Sequence, residues 1–163
     1  MEFKTTAGGS EEKSVMVVPH TYAEWMEILD ILQSRTADAE VLEVMQQGTL
    51  EWQSGVAERF TKSLTEVINY RMNAASDRFQ REMNRAGGQE SVIVRAILTL
   101  RREMSFLAEA VNLPVIPEKD RESHRNLVKA QADSMQKSLE DSAKRERSGK
   151  LASIVRNHRV NTF

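Results

Sequence analysis

Two sets of residues are spaced for chemistry. Glu24 and Glu27 form one Glu-x-x-Glu pair, and after 12 intervening residues Glu40 and Glu43 form another. Carboxylate pairs on adjacent helices can hold Mg²⁺ together with the phosphates of a nucleotide, because a hard cation takes oxygen ligands and bridges to phosphate oxygens. The second set is basic. Lys144, Arg145, Arg147, Lys150, Arg156 and Arg159 stand in the last 21 residues against a single acid, Glu146, with the apolar pair Ile154 and Val155 between them. Bases in this density neutralise phosphates without reading a base sequence. Flanking an apolar pair, they also suit a short docking helix that meets an acidic surface.

Other chemistries lack their residues. The chain has no cysteine, which excludes a disulfide framework, a thiolate zinc site and a cysteine nucleophile. His20, His124 and His158 are dispersed, and no Glu-x-x-His supplies the di-iron pattern of helical bundles. No glycine-rich phosphate loop follows a strand pattern. No cofactor and no metal site is expected.

These sets are positioned by helices. The 163 residues are 40% hydrophobic and 29% charged, with only three prolines, and suit one globular domain. Thr21 and Glu24 form a capping box ahead of Tyr22, Trp25, Met26, Leu29 and Leu32, so a helix is expected over 22 to about 34. A second short helix is expected after Thr36 as its cap, with Val41, Val44 and Met45 as its stripe and Gly48 as a left-handed stop. The third runs from Leu50 to about Arg85 with Gly55 as a weak point inside it, and Gly87 and Gly88 turn the chain. Ile93, Ile97, Leu100, Met104, Leu107 and Val111 then recur at 4, 3, 4, 3, 4, a heptad seam. Pro117 opens a last long helix to about Arg147, whose stripe of Leu127, Val128, Ala132, Met135 and Leu139 is narrow. The aromatic residues Trp25, Trp52, Phe60, Phe79 and Phe106 lie on or beside these stripes and are expected in the core.

The fold class is therefore all-α. The expected form is an elongated antiparallel bundle of three long helices with two short N-terminal helices. Residues 1 to 18 form a flexible arm, 19 to 147 the bundle and 148 to 163 a basic tail.

The acidic pairs resemble those of all-α pyrophosphohydrolases of the MazG type, where an Asp closes the second pair; Glu43 stands in that place. The resemblance implies Mg²⁺-dependent cleavage of nucleotides. Helical geometry opposes it. At 100° per residue Glu24 and Glu27 lie opposite the face centred on Tyr22, Trp25, Met26 and Leu29, whereas metal-binding carboxylates of a bundle face inward. An exposed acidic surface is the simpler reading.

Charge divides along the sequence. Residues 1 to 60 carry 4 bases against 11 acids, and residues 61 to 163 carry 19 against 13. No signal peptide pattern and no apolar run of membrane-spanning length is present. The expected protein is a non-enzymatic cytoplasmic adaptor or assembly protein, plausible as a homodimer because the seam and the narrow stripe offer spare apolar length. Its candidate contact residues are Lys144, Arg145, Arg147, Lys150, Ile154, Val155, Arg156 and Arg159. The alternative is a nucleic-acid accessory protein that uses the same bases with Arg95, Arg101 and Arg102, binding weakly and without sequence preference. The segment from 143 onward can also dock on the acidic N-terminal helices or remain a solubilising end.

Overall fold

The computed structural model describes residues 16 to 51 and 55 to 163. Among them the chain is all-helical, with no strand. Its helices are α1 (Tyr22–Ser34), α2 (Asp38–Gln47), α3 (Val56–Ala86), α4 (Glu90–Ala110), α5 (Glu118–Arg145) and α6 (Lys150–Asn157). Most of the expected N-terminal arm, residues 1 to 15, and Trp52 lie outside the described residues. None of the described helices is long and apolar enough to cross a membrane.

The capping box of α1 forms as its sequence dictates: the Glu24 amide donates to the Thr21 hydroxyl, and the Glu24 carboxylate accepts the Thr21 amide at 3.1 Å. Three local expectations are corrected. Thr36 does not cap α2; its hydroxyl pairs with that of Ser34, and Ala37 occupies the cap position without a side-chain bond. Gly48 is extended rather than left-handed, and its lack of a side chain serves close approach. A Cβ there would stand 2.5 Å from the Trp25 ring and 2.9 Å from the Pro19 carbonyl. Gly55 is not inside α3 but caps it at φ 84°, a left-handed conformation that glycine adopts without a steric penalty.

The long helices are ordered by specific pairs. Arg71 of α3 meets Glu103 of α4 across the turn at Gly87 and Gly88, so these two run in opposite directions. Thr65 meets His124 and Ser76 meets Met135, so α5 runs beside α3 in the same direction. Its chain then reverses, and α6 returns along α5 and α4. Helix α1 lies on the first half of α3, where Trp25 meets Phe60 edge to face at 5.1 Å and the indole N–H donates to the Thr49 carbonyl.

The heptad seam is consumed inside this single chain. Ile93 and Leu100 are buried, and Ile97, Met104, Leu107 and Val111 have no exposed surface. On α5, Val128, Ala132, Met135 and Leu139 are buried as well, while Leu127 is exposed. Each buried Val, Leu, Ile or Met among them stabilises the fold by about 1.5 to 3 kcal/mol before ordering entropy is counted.

Candidate interaction surface

The most unusual group in the interior is Arg71, fully buried on the apolar face of α3 between Ile68 and Met72. All five of its N–H groups are used. Nε and Nη2 donate to Glu103 at 3.1 and 2.7 Å, and Nη1 donates to the Leu32 carbonyl. Both terminal nitrogens also donate to the two oxygens of Asp38, each at 3.0 Å. Arg35, held by a left-handed backbone at the end of α1, reaches the other oxygen of Glu103 at 3.3 Å. The group of two arginines and two carboxylates is formally neutral. The Phe106 ring lies 4.8 Å from the Arg71 guanidinium. Burial pushes the guanidinium toward deprotonation, but the hydrogen bonds of Asp38 and Glu103, with their charges, hold it above its ordinary value. This cluster ties α1, α2, α3 and α4 at one level. Sequence reasoning missed it, although the signal was present: Arg71 and Glu103 both interrupt apolar stripes at core spacing.

The acidic pairs stand apart from each other in role. Glu24 is engaged by the start of α1, while Glu27, Glu40 and Glu43 are exposed. Among the described residues no three carboxylate or imidazole groups converge to hold a metal ion.

The basic candidates fall into two kinds. Ile154 and Val155 are 4% exposed, packed with Val160 on α5 and α4 rather than on α1 and α2. The return of the chain is fastened by the Val160 amide donating to the Gln136 side-chain oxygen at 2.9 Å and by Asn161 donating to Asp133. Lys144, Arg147, Lys150 and Arg156 are exposed and have no ion-pair partner among the described residues. Arg145 donates to the Ser142 hydroxyl, and Arg159 pairs with Glu140 at 3.3 Å. Arg101 donates to the Arg159 carbonyl and lies against Thr162, which brings the bases of α4 beside the C-terminal segment.

The turns joining α3 to α4 and α5 to α6 lie at the same end of the bundle, because α3 and α5 run together. Taking the Arg71 cluster as the dividing level, residues 16 to 71 and 103 to 130 hold 14 acids and 8 bases. Residues 72 to 102 and 131 to 163 hold 13 bases and 7 acids. One half of the bundle thus carries −6 and the other +6. At the basic end, α3 and α5 part to leave a groove of about 360 Å³. Phe79, Met83, Met135 and Leu139 contribute its apolar surface, serine, asparagine and glutamine form the rest, and no charged residue lines it. Absence of charge and the presence of Met and Phe are shared with protein interface cores, while the serines Ser76, Ser138 and Ser142 make this groove more polar than such a core.

Comparison of the chain with known protein families, with curated proteins and with solved structures gives no match.

Proposed function

We propose that the protein is a non-enzymatic cytoplasmic adaptor or assembly protein, built as an elongated antiparallel bundle of three long helices, that acts through contacts at its basic end. One observation carries the reading: an uncharged groove of Met, Phe, Ser and amide side chains opens beside exposed bases that have no ion-pair partner among the described residues. A groove of that composition suits a protein segment, and the free bases around it suit acidic groups on that segment.

The test is a photo-crosslinking amino acid placed at Ser138 in the groove and, as control, at Glu66 on the acidic half, in the cells from which the protein comes. The expected result is a discrete protein adduct at Ser138, identified by mass spectrometry, that is absent from the control. No adduct from the groove overturns the reading.

A second reading has its own support. The bond from Arg101 to the Arg159 carbonyl unites Arg101 and Arg102 with the C-terminal bases into one positive area, which suits a nucleic-acid backbone. That reading expects binding of duplex DNA or RNA at about 50 mM salt with affinity falling steeply as salt rises. Unchanged affinity on truncation after Ser142 would refute it.

A further inference from the structure

We propose that the protein self-associates head to tail, the acidic face of α1 and α2 on one copy seating against the basic end of the next. This rests on the reading of that end as a protein-contact surface and names its occupant.

The complementarity is quantitative. One half of the bundle carries −6 and the other +6, and the whole chain carries −1, so net charge opposes the approach of two copies only weakly. The two signs do not cancel within a molecule. Helix α3, with 31 residues, spans roughly 46 Å at 1.5 Å per residue. The halves meet at the Arg71 level, and their centres lie roughly half that length apart, more than the screening length of about 8 Å at physiological salt. Each end presents its own sign to solvent.

The groups that would meet are available. Glu27, Asp30, Glu40 and Glu43 are exposed on α1 and α2 and have no ion-pair partner among the described residues. Lys144, Arg147 and Lys150 at the turn from α5 to α6 are exposed and likewise have no ion-pair partner among the described residues. A nucleic acid would answer the bases and leave the acids unanswered, whereas a second copy answers both with one kind of contact. A symmetric apolar dimer through the seam has nothing to use, because the seam is already buried. Contact of unlike ends is heterologous, so each added copy exposes the same two ends again, giving a ring or an open chain rather than a closed dimer.

Sedimentation or light scattering of the full chain at about 100 µM, in about 20 mM and about 500 mM NaCl, tests this directly. The expected mass rises with protein concentration beyond twice 18.5 kDa at low salt and returns to 18.5 kDa at high salt. Two charge-reversed proteins sharpen the test: Glu27→Lys/Glu40→Lys/Glu43→Lys, and Lys144→Glu/Arg147→Glu/Lys150→Glu. Each alone should remain monomeric at low salt, and their equimolar mixture should associate, because the reversed acidic face of one then fits the reversed basic end of the other. Restoration by mixing shows that both variants are folded. Monomers of the wild type at low salt overturn the proposal. So does association indifferent to salt, association of either variant alone, or a mixture that stays monomeric. Binding of a 20-base-pair DNA duplex by a wild type that is monomeric without it assigns the basic end to nucleic acid instead. None of these outcomes touches the groove crosslink, which separately decides whether a foreign protein docks there.

Discussion

Replacing Arg71 by Met removes a guanidinium whose five N–H groups are all bonded and whose side chain has no exposed surface. What remains decides the cost. Asp38 is about one-third exposed (32%) and can rehydrate. Glu103, at 10%, cannot, and keeps only Arg35 at 3.3 Å. Breaking a buried pair by removing one partner costs about 3 to 5 kcal/mol, because the other charge is left without compensation. Total stabilities of 5 to 15 kcal/mol are usual, so this is a large fraction, and for a chain of this size it corresponds to a fall in Tm of about 6 to 20 °C. The double variant Arg71→Met/Glu103→Leu should regain most of the loss, since an apolar pair of similar volume removes the stranded carboxylate. Urea unfolding followed by circular dichroism at 222 nm measures both, with an unchanged slope expected if the compact state is kept. A loss below about 1 kcal/mol for Arg71→Met, or a double variant less stable than the single, would show that the cluster does not couple the four helices as its geometry implies.

Two further outcomes follow from the ends of the chain. Ile154→Ala should destabilise the protein by about 2 to 4 kcal/mol in the same assay, because Ile154 is buried against α5 and α4. A loose tail would give a change within about 0.5 kcal/mol, as is expected for Leu127→Ala on the exposed side of α5. The Glu24 carboxyl is held below its ordinary value, chiefly by the His20 amide, against an opposing contribution from burial and with help from the Thr21 amide and hydroxyl. A carboxyl depressed in the folded state contributes stability above its unfolded value of 4.5 and loses it as pH falls through the lower folded value. Glu24→Gln should therefore be less stable than the wild type at pH 7, with the gap closing as pH drops below 4.5; a gap that does not narrow as pH falls below 4.5 refutes this account of the cap.

Local rules were legible where the cause is local. Helical composition, the capping box at Thr21 and Glu24, the stop at Gly87 and the seam from Ile93 to Val111 are written in residue type and spacing, and the fold follows them. The outward direction of Glu27 and Glu43 also follows from 100° per residue, which is a property of one helix alone. Where a distant partner decides, spacing was silent or misleading. Gly48 reads as a helix stop, but its role is set by Trp25 and Pro19 across a close approach. Gly55 reads as a flaw inside a helix because the boundary of α3 is not visible in its apolar stripe.

The candidate surface shows the same division. The sequence by itself determined that the chain is helical, that its opening third is acidic and that its last 21 residues are basic, since these depend only on which residues are present and in what order. Tertiary structure decided everything that depends on which helix lies beside which. It took Ile154 and Val155 out of reach by folding α6 onto α5 and α4, and it left Lys144, Arg147 and Lys150 exposed, without an ion-pair partner among the described residues. It placed the turn from α3 to α4 at the same end as the basic turn from α5 to α6 because α3 and α5 run together. It gave Arg71 its partners from three other helices, a neutralisation that no single helix could provide and without which a buried guanidinium would not be tolerated.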